Sequence, residues 1–227
     1  MMTGNAIGRF MDTARRAGIA FEATLPSVIA DKDAIDRLFG QDIAEAIQQC
    51  GYPGGVEVPG IAEDLLIYPL EEIAARQEGY RSGAGEEQWD KDHWVFADRS
   101  ADPFTVGTGG RIFFSRHGQG AWSYEYLCAN LLVFFDLASA WIEFFVIDNQ
   151  SQIVDDDFSV LPQKRAEFEA RVGALGGEID REAAVPVMLG DWSRLVRPPP
   201  RGAVVRPAPT FCCKRISGRW RTNAAGR

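Results

Sequence analysis

The chain has 227 residues, of which 46% are hydrophobic, including 14 Phe and 6 Trp; that is enough to bury a core and excludes a disordered chain. The formal net charge is −8, but nine basic and no acidic residues lie between Arg194 and Arg227, so residues 1–193 set 15 basic groups against all 32 acidic ones, a net charge of −17. Such a body excludes nucleic-acid binding by phosphate neutralisation and suits a basic protein partner, although acidity also serves solubility.

In chain order, Ile7, Phe10, Met11, Ala14 and Ala17 predict a helix over 7–18, and Ile35, Leu38, Phe39, Ile43, Ala46 and Ile47 predict a second over 31–50, capped by Asp31. Gly51 to Gly60 is expected as a loop. Leu65-Leu66-Ile67-Tyr68 reads as a buried strand, and Pro69 opens a helix to about Tyr80, with Glu71 and Glu72 in its first turn. After a surface loop at 82–92 come three short strands, 94–97, 104–106 and 111–115, the last two joined by Gly107-Thr108-Gly109-Gly110. Trp122 to Leu127 is either a further edge strand or a lead into the next helix.

Residues 129–147 form the most apolar helix, with Asp136, Ser139 and Glu143 as its only polar stripe, so the sheet is expected to cover most of its surface. Its 17-residue run Leu131–Ile147 carries two charges and is too short to span a membrane. Asp155-Asp156-Asp157 is an acidic turn, and 161–175 is a helix with Leu161, Phe168, Val172 and Leu175 on one side. The Pro- and Arg-rich segment 194–227 has no core periodicity and is expected to be a disordered tail.

Catalytic and cofactor motifs are missing. The glycines at 107–110 precede a strand, not a helix that would offer its N-terminus to a phosphate. Cys50, Cys128, Cys212 and Cys213 form no CxxC pair and fit a reducing cytoplasm; no secretory signal is visible. His93 and His117, each at a strand end, are expected to be structural; the competing reading brings them together across the sheet with Asp98 or Asp102 as an acid–base or metal site. Asp98, Arg99, Asp102 and Glu125 serve either hairpin turn chemistry or a recognition edge for a partner. Asp155, Asp156 and Asp157 are either a solvated turn or a contact for a basic surface, and Trp89, Trp94, Trp122 and Trp141 are core residues unless exposed as anchors.

The stretch WVFADRSADPFTVGTGGRIFFSRHGQG resembles the central signature of SMI1/KNR4 (SUKH) domains. Phe96-Ala97-Asp98 ends one strand, Asp102-Pro103-Phe104 begins the next, Gly109-Gly110 turns, and Ile112-Phe113-Phe114 leads to His117. Tyr68-Pro69-Leu70 and the apolar helix from about Ala129 are placed as in that family, so the resemblance covers roughly residues 20–148, while the segment after Asp148 has no clear counterpart. It implies an α+β fold with a central antiparallel sheet packed by helices. An N-terminal helical extension (1–19), a C-terminal helical extension (149–193) and the basic tail (194–227) would surround the domain.

The resemblance also implies a non-enzymatic cytoplasmic protein without cofactor or metal. Bacterial members are commonly immunity proteins that bind a cognate toxin, here one suited to an acidic body, such as a basic nuclease. Fungal relatives are regulatory interaction proteins. No direct nucleic-acid or membrane partner is expected.

Overall fold

The computed structural model describes residues 6–24, 32–82, 88–118 and 122–191. The expected cap at Asp31, parts of the loops at 82–92 and 118–120, Cys212, Cys213 and the tail 194–227 lie outside the described residues.

Helix α1 (Ala6–Arg16) buries Ile7, Phe10, Met11 and Ala14, as their spacing requires. The single helix expected over 31–50 is two, α2 (Lys32–Phe39) and α3 (Gln41–Cys50). Gly40 between them adopts φ 92°, outside the helical region and open chiefly to glycine, so one periodic pattern folds as two rods. The loop expected at 51–60 instead carries β2 (Tyr52–Gly54) and β3 (Val56–Val58). Strand β2 pairs with β1 (Glu22–Thr24) in a two-stranded ribbon, an edge position that tolerates Pro53.

The main sheet is an antiparallel meander of six strands in sequence order: β3, β4 (Leu65–Ile67), β5 (Trp94–Arg99), β6 (Asp102–Val106), β7 (Ile112–Phe114) and β8 (Glu125–Cys128). The 122–127 segment therefore resolves as an edge strand. The fold is α+β, a multi-strand antiparallel sheet packed by helices.

Helix α4 (Leu131–Ile142), continued by a π-helical turn Glu143–Asp148, is the central packing element. Asn130 caps it by accepting a hydrogen bond from Val133 N–H. Phe134 packs on Phe96 and Phe104 of the sheet, with ring centroids 5.1 and 5.7 Å apart. Phe135 turns the other way, onto Phe10 of α1 at 5.0 Å and Tyr52 at 6.2 Å. The sheet is thus not the sole cover of α4. Its polar stripe faces α1, where Arg9 pairs with Asp136 (2.8 Å) and Arg16 with Glu143 (3.1 Å), both partners stepping by seven residues.

Helix α5 (Pro162–Ala174) reaches the core through Phe168, which lies against Trp141 and Phe144, and through Val172. Leu161 and Leu175, expected on the same buried side, are 37% and 41% exposed, because they fall at the helix caps where the chain turns away. Helix α6 (Arg181–Leu189) was not legible as a helix, since Pro186 stands inside it. Asp180 caps it by accepting from Glu182 and Ala183 N–H, and the helix buries Ala183 through Leu189. No helix among the described residues is long and apolar enough to cross a membrane.

A β-bulge in β5 determines which way later side chains face. Val95 pairs with Thr105, whereas Ala97 pairs with Phe104, so Phe96 is the extra residue. Val95 and Arg99 would share a face in a regular strand. The bulge puts them on opposite faces, and Arg99 joins Phe104 on the α4 side. Beyond the reach of β4, Val95 finds its partner in a side chain: its N–H donates to Gln77 Oε1 (3.0 Å) and its carbonyl accepts from Gln77 Nε2 (2.8 Å). Gln77 is itself buried, at the end of two 3₁₀ turns (Leu70–Glu72 and Ala75–Gln77) that replace the longer helix expected after Pro69.

Replacing Gln77 with Leu keeps the volume and orphans both Val95 groups, so it should destabilise the fold by about 2–4 kcal/mol. Urea denaturation measures this. A loss below about 0.5 kcal/mol would show that the amide does not act as a surrogate strand.

Candidate functional site

The β5–β6 turn is Ser100-Ala101, with φ 48° and 73°, the left-handed pair of a tight two-residue hairpin. Asp98, Arg99 and Asp102 therefore stand in strands rather than making the turn, a correction to the turn-chemistry expectation. Asp98 is partly buried and accepts a hydrogen bond from Tyr68, over whose ring Arg76 stacks at 4.7 Å. Burial raises the Asp98 carboxyl above its ordinary value, opposed by the Tyr68 bond and the Arg76 charge. Glu125 opens β8 opposite Phe114 and is partly exposed.

The two histidines are not brought together. His93 precedes β5 and lies at the Val106 end of β6, its Nδ1 2.9 Å from Thr105 Oγ1 and its ring stacked on Tyr124 at 3.8 Å. His117 lies at the other end of β6. Asp102 Oδ1, 6% exposed as a residue, accepts from the His117 backbone N–H (2.8 Å) and ring Nδ1 (2.6 Å). A carboxylate accepts, so that ring nitrogen carries the proton. One half of the shared-histidine reading thus exists as an Asp102–His117 pair, while His93 is built into an aromatic cluster with Tyr124 and Phe113. Trp89 and Trp141 are buried; Trp94 and Trp122 are partly buried.

The acidic turn is a rigid projection. Val154 and Val160 bridge its base, Asp155 N–H donates to Ser159 O, and Asp155 Oδ1 accepts from Asp157 and Ser159 N–H. Asp155 is thus committed to shaping the turn, while Asp156 and Asp157 are exposed. At its tip Phe158 is 81% exposed and adopts φ 59°, an outlying conformation for a bulky side chain. Sequence reasoning missed Phe158, since no pattern marks an aromatic residue held outward by its own turn.

Beneath this turn lies a cavity of about 930 Å³, bordered by the turn itself, the Ile61–Glu63 loop, α5 and the end of α6. The loop is tight: Gly60 N–H donates to Asp64 Oδ1, and a Cβ on Gly60 would meet Glu63 O at 2.0 Å. Arg165 and Asp191, which also line the cavity, form an ion pair. Arg99 enters from β5, 3% exposed, and donates from Nη1 to Val187 O at 2.5 Å, near the carbonyl end of α6 where a cation is favoured. Arg99, read from the sequence as either hairpin turn chemistry or a recognition edge, is instead buried by the bulge. Burial pushes its guanidinium down to about 10, with Glu63, Asp102 and Asp64 acting in the opposite direction, so it stays charged at neutral pH.

The fold and site describe an α+β protein with an acidic, aromatic-tipped turn above a cavity floored by a buried arginine. Searches against family models, curated proteins and solved structures find no match for this chain. Among the described residues no cluster of three or more His, Cys, Asp or Glu could hold a metal ion.

Burial holds the His93 pKa below its ordinary value, with Asp90 and Asp92 partly opposing. The unfolded chain then takes up a proton that the folded ring resists, so this histidine weakens the fold as pH falls through about 6.5. Comparing His93→Gln with the parent by urea denaturation from pH 7.5 to 5.5 should show the parent losing more stability on acidification. A difference constant with pH would refute this.

Proposed function

We propose that this chain is an immunity protein of the SMI1/KNR4 (SUKH) type, which acts in the cytoplasm by binding a cognate bacterial toxin one to one and carries out no chemistry of its own. The observation that carries the reading is the turn at 155–158, which holds an exposed aromatic side chain at a strained φ beside two exposed carboxylates. Exposed aromatic residues supply most of the energy at many protein interfaces, and backbone strain of this kind clusters where function demands it. The net charge of −17 over residues 1–193 supports a basic partner, such as a nuclease, by raising the encounter rate. The six-stranded meander beneath an apolar helix supports the family reading.

The test is to identify the adjacent open reading frame and, where it encodes a toxin, to co-express it with this chain. Growth should be restored and a complex burying about 1,600 Å² recovered. The double variant Asp156→Lys/Asp157→Lys and the variant Phe158→Ala should each weaken that complex at least about tenfold while leaving the thermal midpoint unchanged. A toxin that stays lethal, or charge reversals that leave Kd within twofold, would sink the reading for that pair.

Phe158→Gly separates binding from folding. Removing the Cβ from a left-handed position should stabilise the chain by about 0.5–1 kcal/mol while weakening the complex. Thermal unfolding beside calorimetric binding reads both, and lost stability would count against the strain.

The Asp102–His117 pair favours one other reading, an enzyme using His117 as an acid or base oriented by a buried carboxylate. Protection that survives His117→Gln undiminished argues against it.

A further inference from the structure

The hollow beneath the acidic turn combines exposed apolar wall with exposed carboxylates. Ile61 and Val160 in its lining are partly exposed, and Phe158 and Pro162 are exposed. Glu63 in the same lining is exposed, and Asp156 and Asp157, also exposed, precede Phe158 on the turn. The two arginines of the lining do not offset these carboxylates. Arg165 is paired with Asp191, and Arg99 is 3% exposed, with its Nε and Nη2 closed to solvent. Such a hollow disfavours an anion and suits an occupant that is both apolar and basic.

The chain itself supplies such a segment at the edge of the hollow. The described residues end at Asp191, which lines it, and the next six in sequence are Trp192-Ser193-Arg194-Leu195-Val196-Arg197. This run has one large aromatic, two aliphatic and two basic residues and no acidic one, a charge opposite to the net −17 of residues 1–193. Pro198 favours extended backbone at Arg197. A round hollow of 930 Å³ is about 12 Å across, and extended chain advances about 3.3 Å per residue, so Arg194 lies within about 10 Å of Asp191 and Arg197 within about 20 Å. The segment therefore spans from the wall where it starts to the turn opposite. Because it starts on that wall, docking is intramolecular, at an effective concentration of the order of millimolar. Contacts too weak to hold a free peptide then still populate a docked state.

We infer that residues 192–197 of this chain dock in the hollow, with Trp192 against Phe158 and Val160, and with Arg194 and Arg197 meeting Glu63, Asp156 and Asp157. The dock is a contact within one chain and stands without a toxin. Its consequence for the proposed function alone rests on that reading: a basic partner must displace the segment to reach the turn.

The experiment is limited trypsin digestion of the full chain, following the bonds after Arg194 and Arg201 by mass spectrometry. Each rate is compared with that of the same bond in a synthetic peptide of the same sequence. Cleavage follows the undocked population, so the Arg194 bond should be cut at least fivefold more slowly than in the peptide, and the Arg201 bond, outside the dock, within about twofold of its peptide. Asp156→Asn/Asp157→Asn, which adds no cleavage site, and Trp192→Ala should each return the Arg194 bond to within about twofold of its peptide. Trp192→Ala changes only the segment, so it decides the matter should the turn variant lose its fold. In the full chain labelled with ¹³C and ¹⁵N, the Trp192 ring should show NOEs to the Val160 methyl groups.

The inference is overturned by an Arg194 bond cut at the peptide rate, by equal protection at Arg201, or by missing NOEs. Protection that either folded variant retains also overturns it, since that is nearness to the folded body and not docking. Protection that falls on tenfold dilution does so too, because the segment then docks on a second copy. None of these measurements contains a toxin, so their failure leaves the proposed function standing, and a toxin that does not bind leaves the dock standing.

Discussion

The two adjacent phenylalanines of α4 point in different directions, and the layers of the molecule meet through them. Phe134 takes the sheet through Phe96 and Phe104, while Phe135 takes α1 and β2 through Phe10 and Tyr52. One turn or two further on, Trp141 takes α5 through Phe168. A helix that is apolar nearly all round must be enclosed, and enclosing it needs both the sheet and the flanking helices. The segments before and after the central sheet contribute to the same core, as Ile7, Phe10, Phe168 and Leu189 show. The Arg9–Asp136 and Arg16–Glu143 pairs set the register of α1 along α4; being largely solvent-exposed, they add little stability beyond the apolar contact.

The bulge at Phe96 links the fold to the candidate site. One extra residue reverses the facing of everything after it, which sends a guanidinium into the interior, while Val95, beyond the reach of β4, needs hydrogen-bond partners of its own. Gln77 meets the need of Val95, and the Val187 carbonyl meets that of the guanidinium only in part. A regular strand would have left Arg99 on the opposite face from the cavity. The irregularity, the buried guanidinium and the hollow are therefore parts of one local arrangement.

Two features of opposite character lie close together in this region. The outward one is the strained Phe158 tip with Asp156 and Asp157, suited to a basic protein surface. The inward one is the cationic floor beneath it. Phe158 borders both.

Composition and periodicity were sufficient for much of the architecture. The aromatic strands β5 to β7 with their glycine turn, the apolar α4 and the helical segments at 6–16 and 162–174 follow from local pattern, because alternation and 3.6-residue spacing are written residue by residue. The acidic turn was legible too, as a run of three aspartates. What tertiary structure alone decided is everything that depends on which neighbour arrives: the strands at 52–58 inside a glycine- and proline-rich stretch, α6 around Pro186, and the separation of His93 from His117 along β6. The burial of Arg99 belongs here as well. A bulge leaves no mark in the pattern of β5, since Val95, Phe96 and Ala97 are all apolar, and only pairing with β6 selects the residue that is skipped. The physical reason is that local sequence encodes preferences of the chain for itself, whereas register, cavity and charge environment arise from contacts between segments far apart in that chain.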